Sequence, residues 1–126
     1  MTMTIERRRA RGSRSWHAGR SAEAQVARHL ERRGWAPLAA RWRGAGGEID
    51  LVLRDGGTTV FVEVKAGPDH ASAAARVSPR QVARLMDAAG EFMGTLPDGL
   101  LSDVRFDVAL VDGQGRIEVI ENALAG

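Results

Sequence analysis

The chain has no cysteine and no tyrosine, and only one of its 18 basic side chains is a lysine. The missing thiols exclude disulfides, cysteine-ligated zinc and thiol catalysis, and they suit a reducing compartment. No run approaches the ~18 to 20 consecutive apolar residues of a membrane span, and no apolar segment follows the basic N-terminus as in a signal peptide. A cytoplasmic protein with no membrane partner is the expectation. The missing tyrosines and lysines also explain the pI of about 10.3, because almost nothing titrates between neutrality and the arginines. Net charge is only +2, so the pI overstates the basicity.

The charge that is present is unevenly spread. Residues 1–43 carry 11 Arg against 3 Glu, a net of +8, whereas residues 44–126 carry a net of −6. A basic third on an acidic body points either to a polyanionic partner met from one side or to a solvated arm. The 126 residues, 44% hydrophobic and 27% charged, support one globular core and not two. Residues 1–18 show no apolar periodicity and read as a flexible basic arm. Residues 19–126 read as a single domain.

Within that domain Ala22, Val26 and Leu30 share one helical stripe that Gly34 ends, and Glu23 lies on its inward edge beside Ala27 and Leu30. A short strand is expected from Trp35 to Trp42. GEIDLVL (47–53) and TTVFVEVK (58–65) flank Asp55-Gly56-Gly57 and form a hairpin. Residues 66–77 read as a loop. Ser78-Pro79-Arg80-Gln81 then opens a second helix with a capping box, its apolar stripe being Val82, Leu85, Met86, Ala89 and Met93. Strands at Val104–Val111 and Arg116–Ile120 follow, joined by Asp112-Gly113-Gln114-Gly115. The order αβββαββ predicts an α/β fold with a mixed sheet, since the second helix gives a crossover.

The hairpin carries the chemistry. With Gly56-Gly57 as the turn, Leu53 faces Val60, Leu51 faces Val62 and Ile49 faces Val64, forming an apolar face. The opposite face pairs Val52 with Phe61, Asp50 with Glu63 and Glu48 with Lys65. Two carboxylates directly opposite, with Cβ atoms about 5 Å apart, repel unless a proton, a cation or water intervenes. Such a pair, with a backbone carbonyl and waters, suits Mg²⁺. Lys65, the sole lysine, stands two residues from Glu63 on that face. There it is placed to orient a metal-bound water, help lower its pKa or stabilise a developing oxyanion. Arginine is bulkier and does not give up a proton. The alternative is a solvated strand face with a Glu48–Lys65 surface pair of little energetic weight.

Gly47-Glu48-Ile49-Asp50-Leu51 followed by Val62-Glu63-Val64-Lys65 resembles the D…ExK signature of restriction-endonuclease-like nucleases. Together with Gly19, Ala22-Glu23, Gly34-Trp35, Arg43, Ser78-Pro79-Arg80 and Arg105-Phe106-Asp107-Val108, it resembles the YraN family, small bacterial proteins similar to archaeal Holliday-junction resolvases. The resemblance covers residues 17–124. It implies a restriction-endonuclease-like three-layer α/β/α core, with Asp50, Glu63 and the Val64 carbonyl holding Mg²⁺ or Mn²⁺. It further implies Lys65 as the base-like catalytic residue and Glu23 as an accessory acid. The implied activity is metal-dependent hydrolysis of phosphodiester bonds in DNA, branched or single-stranded DNA included, and resolvase-like relatives pair as homodimers. The chain departs from the family pattern at Gly67, where an arginine is usual, at Gln81, where a lysine is usual, and at Arg41, where an asparagine is common.

Candidate nucleic-acid contacts are Arg41 and Arg43 around Trp42, and Arg80, Gln81 and Arg84 at the start of the second helix. Trp42 reads more readily as a core anchor than as a stacking platform. Asp107 belongs either to the site or to a turn-edge salt bridge. A module of the same fold that binds nucleic acid without cutting it is the competing functional expectation, with affinity carried by the arginine-rich arm.

Overall fold

A computed structural model describes residues 21–124. The basic arm expected over residues 1–18 lies outside the described residues, as do 19, 20, 125 and 126. Within that span α1 covers 21–32. Its stripe Ala22, Val26 and Leu30 is buried, and Gly34 ends it at φ +90, a conformation open to glycine without a Cβ penalty. The Trp35 N–H then returns to the Leu30 carbonyl at 3.2 Å.

Three strands follow, β1 (Ala36–Arg43), β2 (Glu48–Asp55) and β3 (Thr58–Ala66). After them come the short helix α2 (His70–Ala74), the longer α3 (Pro79–Met93), and the strands β4 (Val104–Val111) and β5 (Ile117–Ile120). The five strands form one sheet in sequence order. Only β3 and β4 run parallel, because the chain crosses the sheet through α2 and α3 between them; the other neighbours are antiparallel. The expected α/β fold with a mixed sheet is therefore present, with one helix more than expected. That helix, α2, lies in the segment read as a loop. Asp69 caps it by accepting from the Ser72 N–H at 2.7 Å, and Ala73 buries against Val108 and Leu110. Five residues are too few to show a helical period in sequence.

Alternation along the strands divides the core between the two faces of the sheet. On one face α1 packs Ala22, Val26 and Leu30 over Leu51, Leu53, Val60, Val62 and Val64. On the other, α3 packs Leu85, Ala88, Ala89 and Phe92 over Val52 and Phe61. The expected α3 stripe is out of phase by part of a turn: Leu85 and Ala89 are buried, but Met86 is exposed and Ala88 and Phe92 take its place. The capping box is present as expected, with Ser78 accepting from the Gln81 N–H at 3.1 Å and Gln81 from the Ser78 N–H at 3.3 Å. Among the described residues no helix is long and apolar enough to cross a membrane.

Ile49 corrects the sequence reading. Alternation places it on the face of Leu51 and Leu53, yet it packs on the α3 side with Val52 and Phe61. The cause lies in β1. Arg41 adopts φ +52, a left-handed conformation that reverses strand alternation locally. The flanking pairs Ala40↔Leu51 and Trp42↔Ile49 hold register on either side, so Trp42 and Ile49 turn together toward α3. Trp42 meets Phe92 edge-on at 5.3 Å, which makes it a core anchor.

Candidate active site

The hairpin register is as the Gly56-Gly57 turn requires from Asp55↔Thr58 down to Leu51↔Val62. Gly56 supplies the turn's positive φ of 60. Below Leu51 the ladder between β2 and β3 stops, so the expected Asp50↔Glu63 and Glu48↔Lys65 pairs are not formed. A side chain takes over the backbone's role there: Asp50 Oδ2 accepts the Val64 N–H at 2.8 Å. The β2–β3 pairing ends at this point. A cleft of about 560 Å³ opens there, lined by residues of α1, β1, the β1–β2 turn, β2, β3 and α3.

Glu23, Asp50, Glu63 and Lys65, four side chains from three separate elements, all line this cleft. So do Arg41, Arg43, Gln81 and Arg84 among the expected nucleic-acid contacts. Arg80 does not; it is exposed on the first turn of α3, one residue before Gln81 and on a different face. Val64 keeps its side chain in the α1 core and reaches the site through its backbone. Lys65 pairs with Glu63 at 3.2 Å and not with Glu48. Glu48 is instead held by Arg43 at 3.2 Å and lies 3.9 Å from Arg41. Glu48 also lines the cleft; the sequence reading placed it on the Asp50 face opposite Lys65 but did not count it among the site residues.

The wall opposite Lys65 explains the glycines at 44, 46 and 47. A Cβ at Gly47 would stand 2.7 Å from the Arg84 carbonyl oxygen, and one at Gly46 would stand 2.9 Å from Asp87 Cβ. The turn therefore lies flat on α3, which draws Arg84 into the cleft. It packs against a helix flank, and a strand rather than a helix follows it.

Electrostatically the two carboxylates are under load. Burial pushes Glu63 from its ordinary 4.5 up to about 7, with the adjacent Asp50 charge as the next cause and Lys65 opposing. Burial also raises Asp50, against the Val64 N–H and Lys65, which favour its charged form. The pair holds each other's proton in the absence of a counter-ion, the expected behaviour of two adjoining acids.

Whether a divalent cation suits this pair follows from which oxygens are committed. One oxygen of Asp50 is taken by the Val64 N–H, and Glu63 Oε1 faces Lys65. The two carboxyls also hydrogen-bond to each other, so a hard cation keeping several waters would take the place of the proton between them, a donor set that fits it. Among the described residues no group of three or more His, Cys, Asp or Glu forms a ready cage; Glu23 turns to Arg41, 3.4 Å away.

Asp107 lies elsewhere. It is fully buried, grips Arg105 through two bonds of 2.9 and 3.1 Å and accepts the Asn122 N–H at 2.9 Å. Of its two readings, the salt bridge holds. Arg105 in turn covers Trp35, its guanidinium 5.1 Å from the ring centre.

Comparison with known proteins bears out the family resemblance. Residues 22–111 match the model of "Uncharacterised protein family UPF0102". A UPF0102 protein of Cereibacter sphaeroides strain KD131 is 54% identical over 114 residues, spanning 90% of this chain and 97% of the relative. One from Ruegeria pomeroyi is 54% identical over 114 residues, spanning 90% and 93%, and one from Dinoroseobacter shibae is 44% identical over 115 residues, spanning 91% and 86%. The matched segment contains every residue of the carboxylate–lysine cleft, and the chain belongs to the UPF0102, or YraN, family.

Proposed function

We propose that the protein is a metal-dependent nuclease of restriction-endonuclease-like fold that hydrolyses phosphodiester bonds in DNA. The observation that carries this reading is the Asp50–Glu63 pair. Two half-buried carboxylates are pressed together at the parting of β2 and β3, with the only lysine 3.2 Å from one of them. A purely structural site would rarely keep two acids in that relation, because their mutual repulsion and burial oppose folding.

Asp50, Glu63 and the Val64 carbonyl are the residues that would hold Mg²⁺ or Mn²⁺. A bound divalent ion supplies charge to the scissile phosphate and acidity to a coordinated water. The chain's own groups do the rest. The Val64 N–H holds Asp50 in one orientation. Glu63 holds the Lys65 ammonium at the cleft floor, from where it can orient the attacking water and offset charge developing on the phosphate. Gln81, Arg84 and Arg43 stand at the rim, where phosphate oxygens of a strand crossing the cleft would meet them. Glu23 supplies a further acid at the edge next to α1.

The test is cleavage of duplex, single-stranded, flap and four-way-junction DNA with Mg²⁺ or Mn²⁺, wild type and Lys65→Ala side by side. Loss of cleavage in the variant supports the reading; equal activity in both indicates a contaminant and overturns it. The competing reading, a binder that does not cut, draws on the exposed Arg43 and Arg84 at the rim. It requires salt-sensitive DNA binding with no cleavage under any divalent ion.

A further inference from the structure

We infer that Arg41 is a built-in counter-cation of the cleft, one that a divalent ion displaces and a substrate phosphate takes up, so that the two ligands strengthen each other's binding. The inference rests on the nuclease reading above and adds a form of regulation to it.

Three observations converge on Arg41. The first is its backbone. At φ +52 it is one of two non-glycine residues with positive φ among those described, and it interrupts β1 at the level of Asp50 between two regular pairs. A long side chain in the left-handed region is uncommon and clusters where function holds it there. The second is its partners. Its Nε lies 3.4 Å from Glu23 Oε2 and 3.9 Å from Glu48 Oε1. It thus bridges acids of α1 and β2 that share the cleft with Asp50 and Glu63. The third is how loosely it is held. Arg43 reaches Glu48 through a hydrogen bond of 3.2 Å, and Arg105 reaches Asp107 through two hydrogen bonds. Arg41 lies at ion-pair distance only, with its side chain 37% exposed.

An arginine has five N–H donors in a planar fork that matches a phosphate better than two separate carboxylates. Without ligands, the guanidinium is a positive charge that Glu23 and Glu48 share, Glu48 also having Arg43. A divalent ion entering near Asp50 and Glu63 raises the local positive charge and weakens Arg41's hold on the acids. A phosphate at the cleft mouth draws the guanidinium outward and leaves the acids more negative, which favours the ion. Linkage makes these effects reciprocal: whatever factor phosphate adds to cation affinity, the cation adds to phosphate affinity.

The experiment measures Mn²⁺ affinity of the full chain by electron paramagnetic resonance of free Mn²⁺, alone and with a short single-stranded phosphorothioate DNA that resists cleavage. In the absence of DNA, Arg41→Gln is expected to bind Mn²⁺ about fivefold more tightly or better, the lower end of usual coupling between linked sites. Arg41→Lys, which keeps the charge, stays near wild type. Arg84→Gln removes an equal charge from the same cleft, but one with no ion pair to an acid among the described residues, and is expected to shift affinity by less than about twofold. Adding DNA tightens Mn²⁺ binding in wild type and does so much less in Arg41→Gln. Equal shifts in Arg41→Gln and Arg84→Gln, or no shift in Arg41→Gln while wild type binds Mn²⁺, overturn the inference and leave the nuclease reading standing. Failure of every variant and of wild type to bind Mn²⁺ overturns both.

Discussion

Above pH 7 the folded protein carries an ionised Glu63 whose side chain is only 14% exposed, against the equally crowded Asp50. Glu63→Gln removes that charge at nearly constant shape. The carboxyl is raised from 4.5 to about 7, so the native state holds its proton more tightly than the unfolded chain. Between those pH values the native state binds more protons, and stability falls as pH rises through the window. At about 1.4 kcal/mol per pKa unit the cost of ionising Glu63 in the fold is about 3 kcal/mol, fully felt above pH 7 and absent below about 4.5. Glutamine escapes that cost but leaves Lys65 with Asp50 as its remaining acid, an offset of about 1 kcal/mol. Glu63→Gln is therefore expected to be more stable than wild type by about 1 to 2 kcal/mol at pH 8 in EDTA. The advantage should shrink to nothing, or reverse, at pH 4.5. Urea unfolding of both proteins across that range measures it. Saturating Mg²⁺ should close the gap at pH 8, since an ion at about 100 times its Kd adds about 2.7 kcal/mol to wild type. A variant less stable than wild type at pH 8, or a difference that does not change with pH, would refute the picture of two acids held in opposition.

Other substitutions probe the frame of the cleft. Asp50→Ala leaves the Val64 N–H without its 2.8 Å acceptor and should cost about 1 to 3 kcal/mol in urea unfolding. Asp50→Asn keeps an acceptor oxygen and should cost markedly less, while both variants lose Mn²⁺ binding. Gly47→Ala drives a Cβ to 2.7 Å from the Arg84 carbonyl; the turn must lift from α3, lowering stability by about 1 to 3 kcal/mol. That lift should also weaken DNA binding through Arg84, which fluorescence anisotropy would read. Asp107→Ala strips Arg105 of its two-bond partner and leaves the Asn122 N–H unpaired. It should cost about 1 to 3 kcal/mol, Arg105 keeping Asp55 at 3.5 Å, without changing Mn²⁺ affinity, because the pair lies outside the cleft.

Much of this architecture was legible before any coordinates. The β2–β3 register followed from period-two alternation around Gly56-Gly57, and the start of α3 from Ser78, Pro79 and Gln81, because these signals are local. A turn that needs positive φ and a helix end that needs a cap each name their residues directly. Gathering Glu23, Asp50, Glu63 and Lys65 was likewise in reach, since one helical stripe and one hairpin face carry all four.

The remainder was decided in three dimensions. Ile49 changed faces because Arg41, on a neighbouring strand, reversed its backbone, and alternation read along β2 alone has no access to that. The ladder ends at Leu51↔Val62, and Asp50 meets the Val64 N–H in place of pairing squarely with Glu63. Arg84 entered the cleft while Arg80 stayed out, because bare glycines let the β1–β2 turn lie against one flank of α3 only. Charges choose partners by distance, and distance depends on packing between elements. The sequence by itself determined which polar residues stand together on the hairpin and the first helix, and roughly where they sit. The tertiary structure decided which acids adjoin, which cation each holds and where the strands part to form the cleft, because those depend on packing between elements.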